Sequence, residues 1–324
     1  MSHFIEVENL KKYFKTNGGM LHAVDDVSFF IKKGETLGLV GESGCGKSTL
    51  GRVIIRLLEK TDGKVLFDGT DLSSLNEEQM IQMRKRVQIV FQDPYSSLNP
   101  RLSVRELISE AFIINKTFTN NAAMEKRVLE LMDIVGLARR YVNTYPHQLD
   151  GGRRQRIGIA RSLALDPEFI VLDEPVSALD VCIQAQILNL LNNLKKQFHY
   201  TYLFISHNLS VVKHVSDRIA VMYLGKMVEL CDFRTMFKNP MHPYTQALLS
   251  AIPIPKAHGK KERILLEGDV PSPVAPPPGC RFAGRCRYCK DLCRSETPML
   301  RDLGGEHFVA CHFAEEIAQT RTGA

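Results

Sequence analysis

No stretch of about 18 consecutive apolar residues occurs in the chain, so the sequence offers no membrane-spanning helix. The first residues, MSHFIEVENLKKYFK, lack the long apolar core of a signal peptide. The expectation is a cytoplasmic chain that can dock on membrane proteins. Charge of one sign is also scarce. The net charge is +6 and the isoelectric point near 8.8, too mild to argue for nucleic-acid binding. There is no internal repeat and no long low-complexity segment. Hydrophobic residues at 44% and charged residues at 24% exclude a largely disordered chain and leave enough apolar side chain for a core. A length of 324 residues suggests about two domains.

Two residue types are unevenly spread. Five of the eight cysteines lie between Cys280 and Cys311, and seven of the fifteen prolines between Pro253 and Pro278. In a reducing compartment such a cysteine cluster suggests a metal site more than disulfides.

The first 90 residues read as α/β. Phe4–Val7 and Val27–Ile31 alternate, and Glu35–Val40 is an apolar strand ending at a glycine. A β-rich excursion follows at Lys64–Phe67, with a turn signal at Asp68–Gly69. Residues 103–141 read as an all-helical insert. Met124–Val135, for example, carries apolar residues at helical spacing with charges between them. Strand signals return at Phe169–Leu172, Thr201–Ile205 and Arg218–Tyr223, separated by helical patterns such as Gln184–Gln197. Strands alternating with helices predict a parallel sheet. A short helix at Tyr244–Ala251 then leads into a proline-rich linker.

The segment Gly41-Glu42-Ser43-Gly44-Cys45-Gly46-Lys47-Ser48 fits G-x-x-x-x-G-K-[ST]. It follows a predicted strand and precedes the helical pattern Thr49–Leu58. Glycines let the backbone fold tightly, so successive N–H groups point at phosphate oxygens. Lys47 supplies positive charge at the β- and γ-phosphates, and Ser48 an oxygen to Mg²⁺. The buried strand ending Asp173-Glu174 would deliver Asp173 to the metal side and Glu174 to the attacking water. His207 ends the next strand on the same edge; taken alone, it reads as a loop histidine.

These pieces, in this order, resemble the ATP-binding subunits of ABC transporters over the whole chain. The resemblance implies a P-loop NTPase core of α/β class with an antiparallel β subdomain and a helical insert. A small cysteine-rich C-terminal metal-binding domain would follow. It places a nucleotide-binding domain over residues 1–235 with its helical part at about 95–160, a helix and linker over 236–279, and the cysteine-rich part over 280–324. It makes Gly41, Ser43, Gly44, Cys45, Gly46, Lys47, Ser48 and Thr49 the phosphate cradle, and Tyr13 the aromatic that stacks on adenine. Gln92 becomes the glutamine that senses Mg²⁺ and faces the membrane subunits. Asp180 lies in the loop at the dimer interface, and His207 becomes the switch histidine at the γ-phosphate. Lys47, Glu174 and His207 are then the catalytic set.

The segments FQDPYSSLNP at 91–100 and NPMHPYT at 239–245 are similar to the F-type ATPase of oligopeptide and dipeptide importers. That subfamily implies a heterodimer with a D-type ATPase, two transmembrane permease subunits and an extracytoplasmic solute-binding protein. Its place is the cytoplasmic face of the membrane. Nucleic acid is not a partner. Peptides are the expected cargo, with nickel or oligosaccharides as alternatives. A soluble ABC protein is the remote alternative, because such chains carry two cassettes or a long coiled coil. An exporter and a subunit that binds ATP without hydrolysing it fit less well.

One motif departs from the family. The signature loop usually reads Ser-Gly-Gly-Gln, and here it reads Asp150-Gly151-Gly152-Arg153. In the family dimer this loop faces the ATP on the partner's P-loop. An ionised Asp150 cannot donate to a γ-phosphate and would repel it. At ~4 Å the cost is on the order of 4 kcal/mol for an effective dielectric of about 20. Pairing with Arg153 would offset part of this. The expectation is asymmetric sites, with hydrolysis on this chain's own P-loop and poor turnover at the site that Asp150 faces. The bland alternative is that Asp150 turns away.

The spacing Cys280-x₅-Cys286-x₆-Cys293, then Cys311, resembles the four-cysteine pattern that holds a [4Fe–4S] cluster in a relative. Arg281, Arg285, Arg287, Lys290 and Arg294 would offset thiolate charge. Cys289 creates Cys286-x₂-Cys289, which suits zinc, with His307 and His312 as further candidate ligands. Cluster, zinc and a metal-free tail all stay open. Cys45, Cys182 and Cys231 read as ordinary thiols.

Overall fold

A computed structural model describes residues 3–252 and 263–322 of the chain. The first part of the expected proline linker, 253–262, lies outside the described residues. The chain forms two compact units, one made of Met1–Ser73 with Ser206–Ala324 and the other of Ser74–Ile205.

The first unit holds an antiparallel sheet in the order Gly19–Ile31, Ile5–Thr16, Asp62–Phe67, Thr70–Asp71. The first two strands are longer than their alternation suggests. A two-residue Asn17-Gly18 turn joins them, and the positive φ falls on the residue after it, Gly19, at 124°. Alternation breaks because a bulge shifts the register between Val7 and Leu10. There Asn9 takes φ 46° and donates its side-chain amide to Asp26 at 3.0 Å.

The same unit contains the strand Thr36–Val40, all five residues buried, as expected for a strand covered on both faces. It pairs in parallel with Arg218–Tyr223, which pairs antiparallel with Lys226–Asp232. The sequence reading lacked that last strand. The short tail strands Phe308–Val309 and Arg301–Asp302 extend this edge. The cysteine-bearing tail is thus part of the unit that carries the P-loop. Glu229, fully buried, staples it: the carboxylate accepts from the backbone N–H groups of Met241 and His242 at 2.8 and 3.0 Å and pairs with His307 at 2.7 Å.

The second unit has Val87–Val90, Phe169–Asp173 and Thr201–Ser206 in parallel register. Its helices are capped at their N-termini by side chains. Ser103 and Glu106 form a capping box ahead of Val104–Ile114, and Asn120 caps Asn121–Ile134. Asp150 caps Gly151–Leu163, and Asp180 caps Val181–Phe198.

Candidate functional site

The loop 41–46 joins the strand Thr36–Val40 to the helix Lys47–Ile54. Glycine is required at its end. Gly46 has φ 103°, and a Cβ there would lie 1.9 Å from the Ala23 carbonyl oxygen. Lys47 is buried and points back into the loop, donating to the carbonyls of Gly41 and Glu42, each at 2.9 Å. The ammonium therefore sits inside the turn of backbone where a phosphate would be cradled. The helix opening at Lys47 leaves its first N–H groups for an anion, with Ser48 and Thr49 in its first turn. Cys45 is buried, burial pushes its thiol up, and its carbonyl accepts from the N–H of Gly225 at 2.9 Å. Gly41, Ser43 and Gly44 complete the loop.

Tyr13 lies in the same unit. Its ring stacks on His22 with centroids 4.1 Å apart, and its hydroxyl donates to Asp25 Oδ1 at 2.5 Å. Burial, with that bond to a carboxylate, pushes the phenol up. Burial works against the charge of Asp25, but the Tyr13 hydroxyl, Lys226 and Arg281 hold its carboxyl below the usual carboxylate range. His207 is exposed just beyond the strand Thr201–Ser206.

The second unit carries the acids. Asp173 is fully buried at the end of Phe169–Asp173. Glu174 follows with φ 47°, a left-handed conformation that a non-glycine residue adopts at a cost and that recurs at functional positions. Its N–H donates to Ile205 O at 3.0 Å, and Ser177 Oγ donates to its carbonyl at 3.1 Å. Gln92 Nε2 donates to Glu174 Oε2 at 3.1 Å. The structure thus joins two residues that lie 82 apart in sequence. The segment holding Gln92 is fixed to the signature helix by Arg161, which donates to Ser97 O at 2.9 Å, and by Arg154, stacked 3.8 Å over Tyr95. Sequence reasoning missed both arginines.

Asp150 folds back onto the start of its own helix. Its Oδ1 accepts from Arg153 N at 2.8 Å, and Oδ2 pairs with Arg153 Nη1 at 2.6 Å. Gly152 faces Ile183 so closely that a Cβ would lie 2.6 Å from its Cγ2. Gly151 opens the helix, and Asp180 Oδ1 accepts from Ile183 N at 3.0 Å.

In the tail, Cys280, Cys286, Cys293 and Cys311 line one narrow cavity with His312, Phe282 and Tyr288. Burial raises the thiols of Cys280 and Cys286, to about 12 and about 11. Two of the five basic residues expected to offset thiolate charge are engaged elsewhere: Arg281 pairs with Asp25 and Arg285 with Glu42. His307 is engaged by Glu229, and His312 Nε2 lies 3.0 Å from Glu296 O.

A family model for ABC transporters matches residues 24–177, and one for the oligopeptide/dipeptide transporter C-terminal region matches residues 228–293. The chain is 52% identical over 318 residues to the oligopeptide transport ATP-binding protein AppF of Bacillus subtilis (strain 168), spanning 95% of this chain and 96% of that one. The chain belongs to the ABC transporter ATP-binding family.

Within that family, this ABC ATPase is 49% identical over 312 residues to the oligopeptide transport ATP-binding protein OppF of the same organism, covering 96% of this chain and 97% of that one. It is also 47% identical over 307 residues to a putative peptide import ATP-binding protein of Brucella ovis, covering 95% and 96%. A solved dimer of the ATP-binding cassette MJ0796, in a post-hydrolysis state bound to ADP and Pi, superposes with a TM-score of 0.66 at 30% identity. It covers 71% of this chain and 99% of that one. The α/β ATPase fold is that of the family, ATP with Mg²⁺ is its expected ligand, and no described helix is long and apolar enough to cross a membrane.

Proposed function

We propose that this ABC ATPase is the F-type motor subunit of a membrane importer for di- and oligopeptides, working at the cytoplasmic face. The observation that carries the reading is the bond from Gln92 to Glu174. It links the loop that would face a permease to the carboxylate that would polarise water. Lys47 and the loop N–H groups bind the phosphates, with Ser48, Gln92 and Asp173 on the metal side. Bound Mg²⁺ would neutralise charge on the phosphates and orient them. Glu174 accepts the proton of the attacking water, and His207 contacts the γ-phosphate. Tyr13 stacks on the adenine.

The partner is a D-type ATPase, closing head to tail beneath two permeases served by an extracytoplasmic binding protein. ATP on this chain's P-loop is hydrolysed. ATP on the partner's P-loop meets the Asp150–Arg153 pair and turns over slowly. Nucleotide-driven closure reaches the permeases through the face beside Gln92. In the helical insert, Val104–Ile114 buries Leu107, Ile108 and Phe112 but exposes Ile113 and Ile114, a second candidate contact.

Cys280, Cys286, Cys293 and Cys311 are the donor set for a [4Fe–4S] cluster with a structural role. Tetrahedral zinc, with Zn–S near 2.3 Å, needs sulfurs about 3.8 Å apart. Among the described residues, the group gathered within 4.8 Å is Glu229, Cys231 and His307, and no three of these four cysteines form one. The cavity that the four cysteines line is only about 20 Å³, so the assignment rests on donor type and sequence spacing. In the Glu229 group the carboxylate already accepts from Met241, His242 and His307, so it reads as a staple.

Uptake in cells lacking the chain, complemented with wild type or Glu174→Gln, tests the function. The panel holds labelled di- and oligopeptides, Ni²⁺ and oligosaccharides. Loss of peptide uptake that Glu174→Gln does not rescue is expected. Selective loss of another panel member reassigns the cargo, and full rescue by Glu174→Gln reverses the site assignment.

A further inference from the structure

The nucleotide loops and the tail share two ion pairs. Arg281 and Arg285 lie in the segment between Cys280 and Cys286, which turns through the short helix Ala283–Arg285. Arg281, whose side chain is almost fully buried, donates to Asp25 Oδ2 and to the carbonyl of Leu224. The other Asp25 oxygen receives the Tyr13 hydroxyl. Arg285 donates to both carboxylate oxygens of Glu42, at 2.9 and 3.2 Å. Glu42 is the second residue of the P-loop. Its N–H donates to Tyr244 Oη at 2.9 Å, and its carbonyl receives Lys47. Tyr223, Tyr244 and Phe282 pack with centroids 4.7 to 5.4 Å apart, so the base of this segment is an aromatic core.

We infer that Arg281 and Arg285 are positioning residues of the ATP site, each acting on a different part of the nucleotide. Arg281 fixes Asp25, which fixes the Tyr13 ring, so it acts on the base. Arg285 fixes Glu42 and with it the loop that holds Lys47, so it acts on the phosphates. The geometry favours function over mere tail docking. Both guanidiniums are spent on carboxylates that sit one bond from a residue of the proposed nucleotide site. Low-exposure charge pairs of this kind hold geometry firmly, because losing one partner strands the other.

The inference rests on the reading of Tyr13 as the adenine platform, and the test separates the two. The purified full-length chain is titrated with Mg²⁺ and either ATP or inorganic tripolyphosphate, which has no base. Arg281→Ala is expected to weaken ATP about 5- to 10-fold and leave tripolyphosphate unchanged, the size expected from losing base stacking. Tyr13→Phe, which keeps the ring and loses the hydroxyl, should show the same pattern. The double variant should be no worse than either single one, as for residues acting in one chain of contacts. Arg285→Ala should weaken both ligands alike, and Arg285→Lys should recover most of the loss.

If Arg281→Ala weakens both ligands equally, or neither, its positioning role is overturned. If Arg285→Ala changes neither, its role is overturned. Tyr13→Ala separately reports on the platform: an unchanged preference for ATP over tripolyphosphate sinks that reading whatever the arginines do. Where Arg281→Ala fails to fold, Tyr13→Phe and Arg281→Lys carry the same comparison.

Discussion

Asp150 and Arg153 form a closed pair at the start of the signature helix, with the carboxylate capping the helix through one oxygen and holding the guanidinium at 2.6 Å through the other. A serine at Asp150 would cap equally well, so the substitution keeps the helix and changes the charge presented beyond it. Both side chains are about half exposed, so the pair contributes little stability.

In the assembled transporter, Arg153→Gln should therefore slow ATP turnover further, since it leaves Asp150 uncompensated. Asp150→Ser with Arg153→Gln should raise turnover toward twice the wild-type rate by bringing a second site into use. Steady-state phosphate release on the three proteins checks this. Equal rates for wild type and the double variant would show that the pair is silent.

His242 predicts a pH dependence of stability. It is fully buried, and its Nδ1 accepts the N–H of Tyr244 at 3.1 Å, capping the helix Pro243–Ser250. Burial lowers its pKa to about 4 from an ordinary 6.5. The unfolded chain therefore binds a proton that the folded one refuses. The stability held by neutral His242 is complete above pH 6.5 and drains away as pH falls toward 4. The full loss is on the order of 3 kcal/mol. His242→Asn keeps the acceptor without the titration. Urea midpoints should fall between pH 7 and 4.5 more steeply for wild type than for the variant, and parallel curves would refute the assignment.

Chain purified without oxygen should carry about four irons and four sulfides if the tail holds the cluster. Cys286→Ser should lose them, while Cys289→Ser should retain them. Stoichiometric zinc without iron would replace this reading with a mononuclear site.

Ile113 and Ile114 are 61% and 72% exposed at the end of an otherwise buried helix face. Replacing both with serine should cut solute uptake at least 10-fold. Thermal stability and ATP binding by the chain should hardly move, as is usual for exposed positions. Unchanged uptake would place the permease contact elsewhere.

The sequence by itself determined the features that depend on near neighbours. The P-loop is legible because strand, glycine turn and helix are consecutive, and Gly46 has a backbone that other residues adopt only under strain. The caps at Ser103, Asp150 and Asp180 are equally local, though the sequence reading did not draw them. The Asp150–Arg153 pair is legible too, three residues apart on one helical turn. The insert was readable as helical from its periodicity, but not which isoleucines stay bare, since that depends on what packs against each face.

Only the tertiary structure decided what the tail's arginines do. Arg281 and Asp25 are separated by 256 residues, and Arg285 and Glu42 by 243. In the sequence those arginines stand beside cysteines and read as their counter-charges. In the fold the strand Lys226–Asp232 carries the tail back along the sheet edge of the P-loop strand. Part-buried carboxylates then lie within reach, and a guanidinium pairs with a formed charge in preference to a thiol that burial keeps protonated.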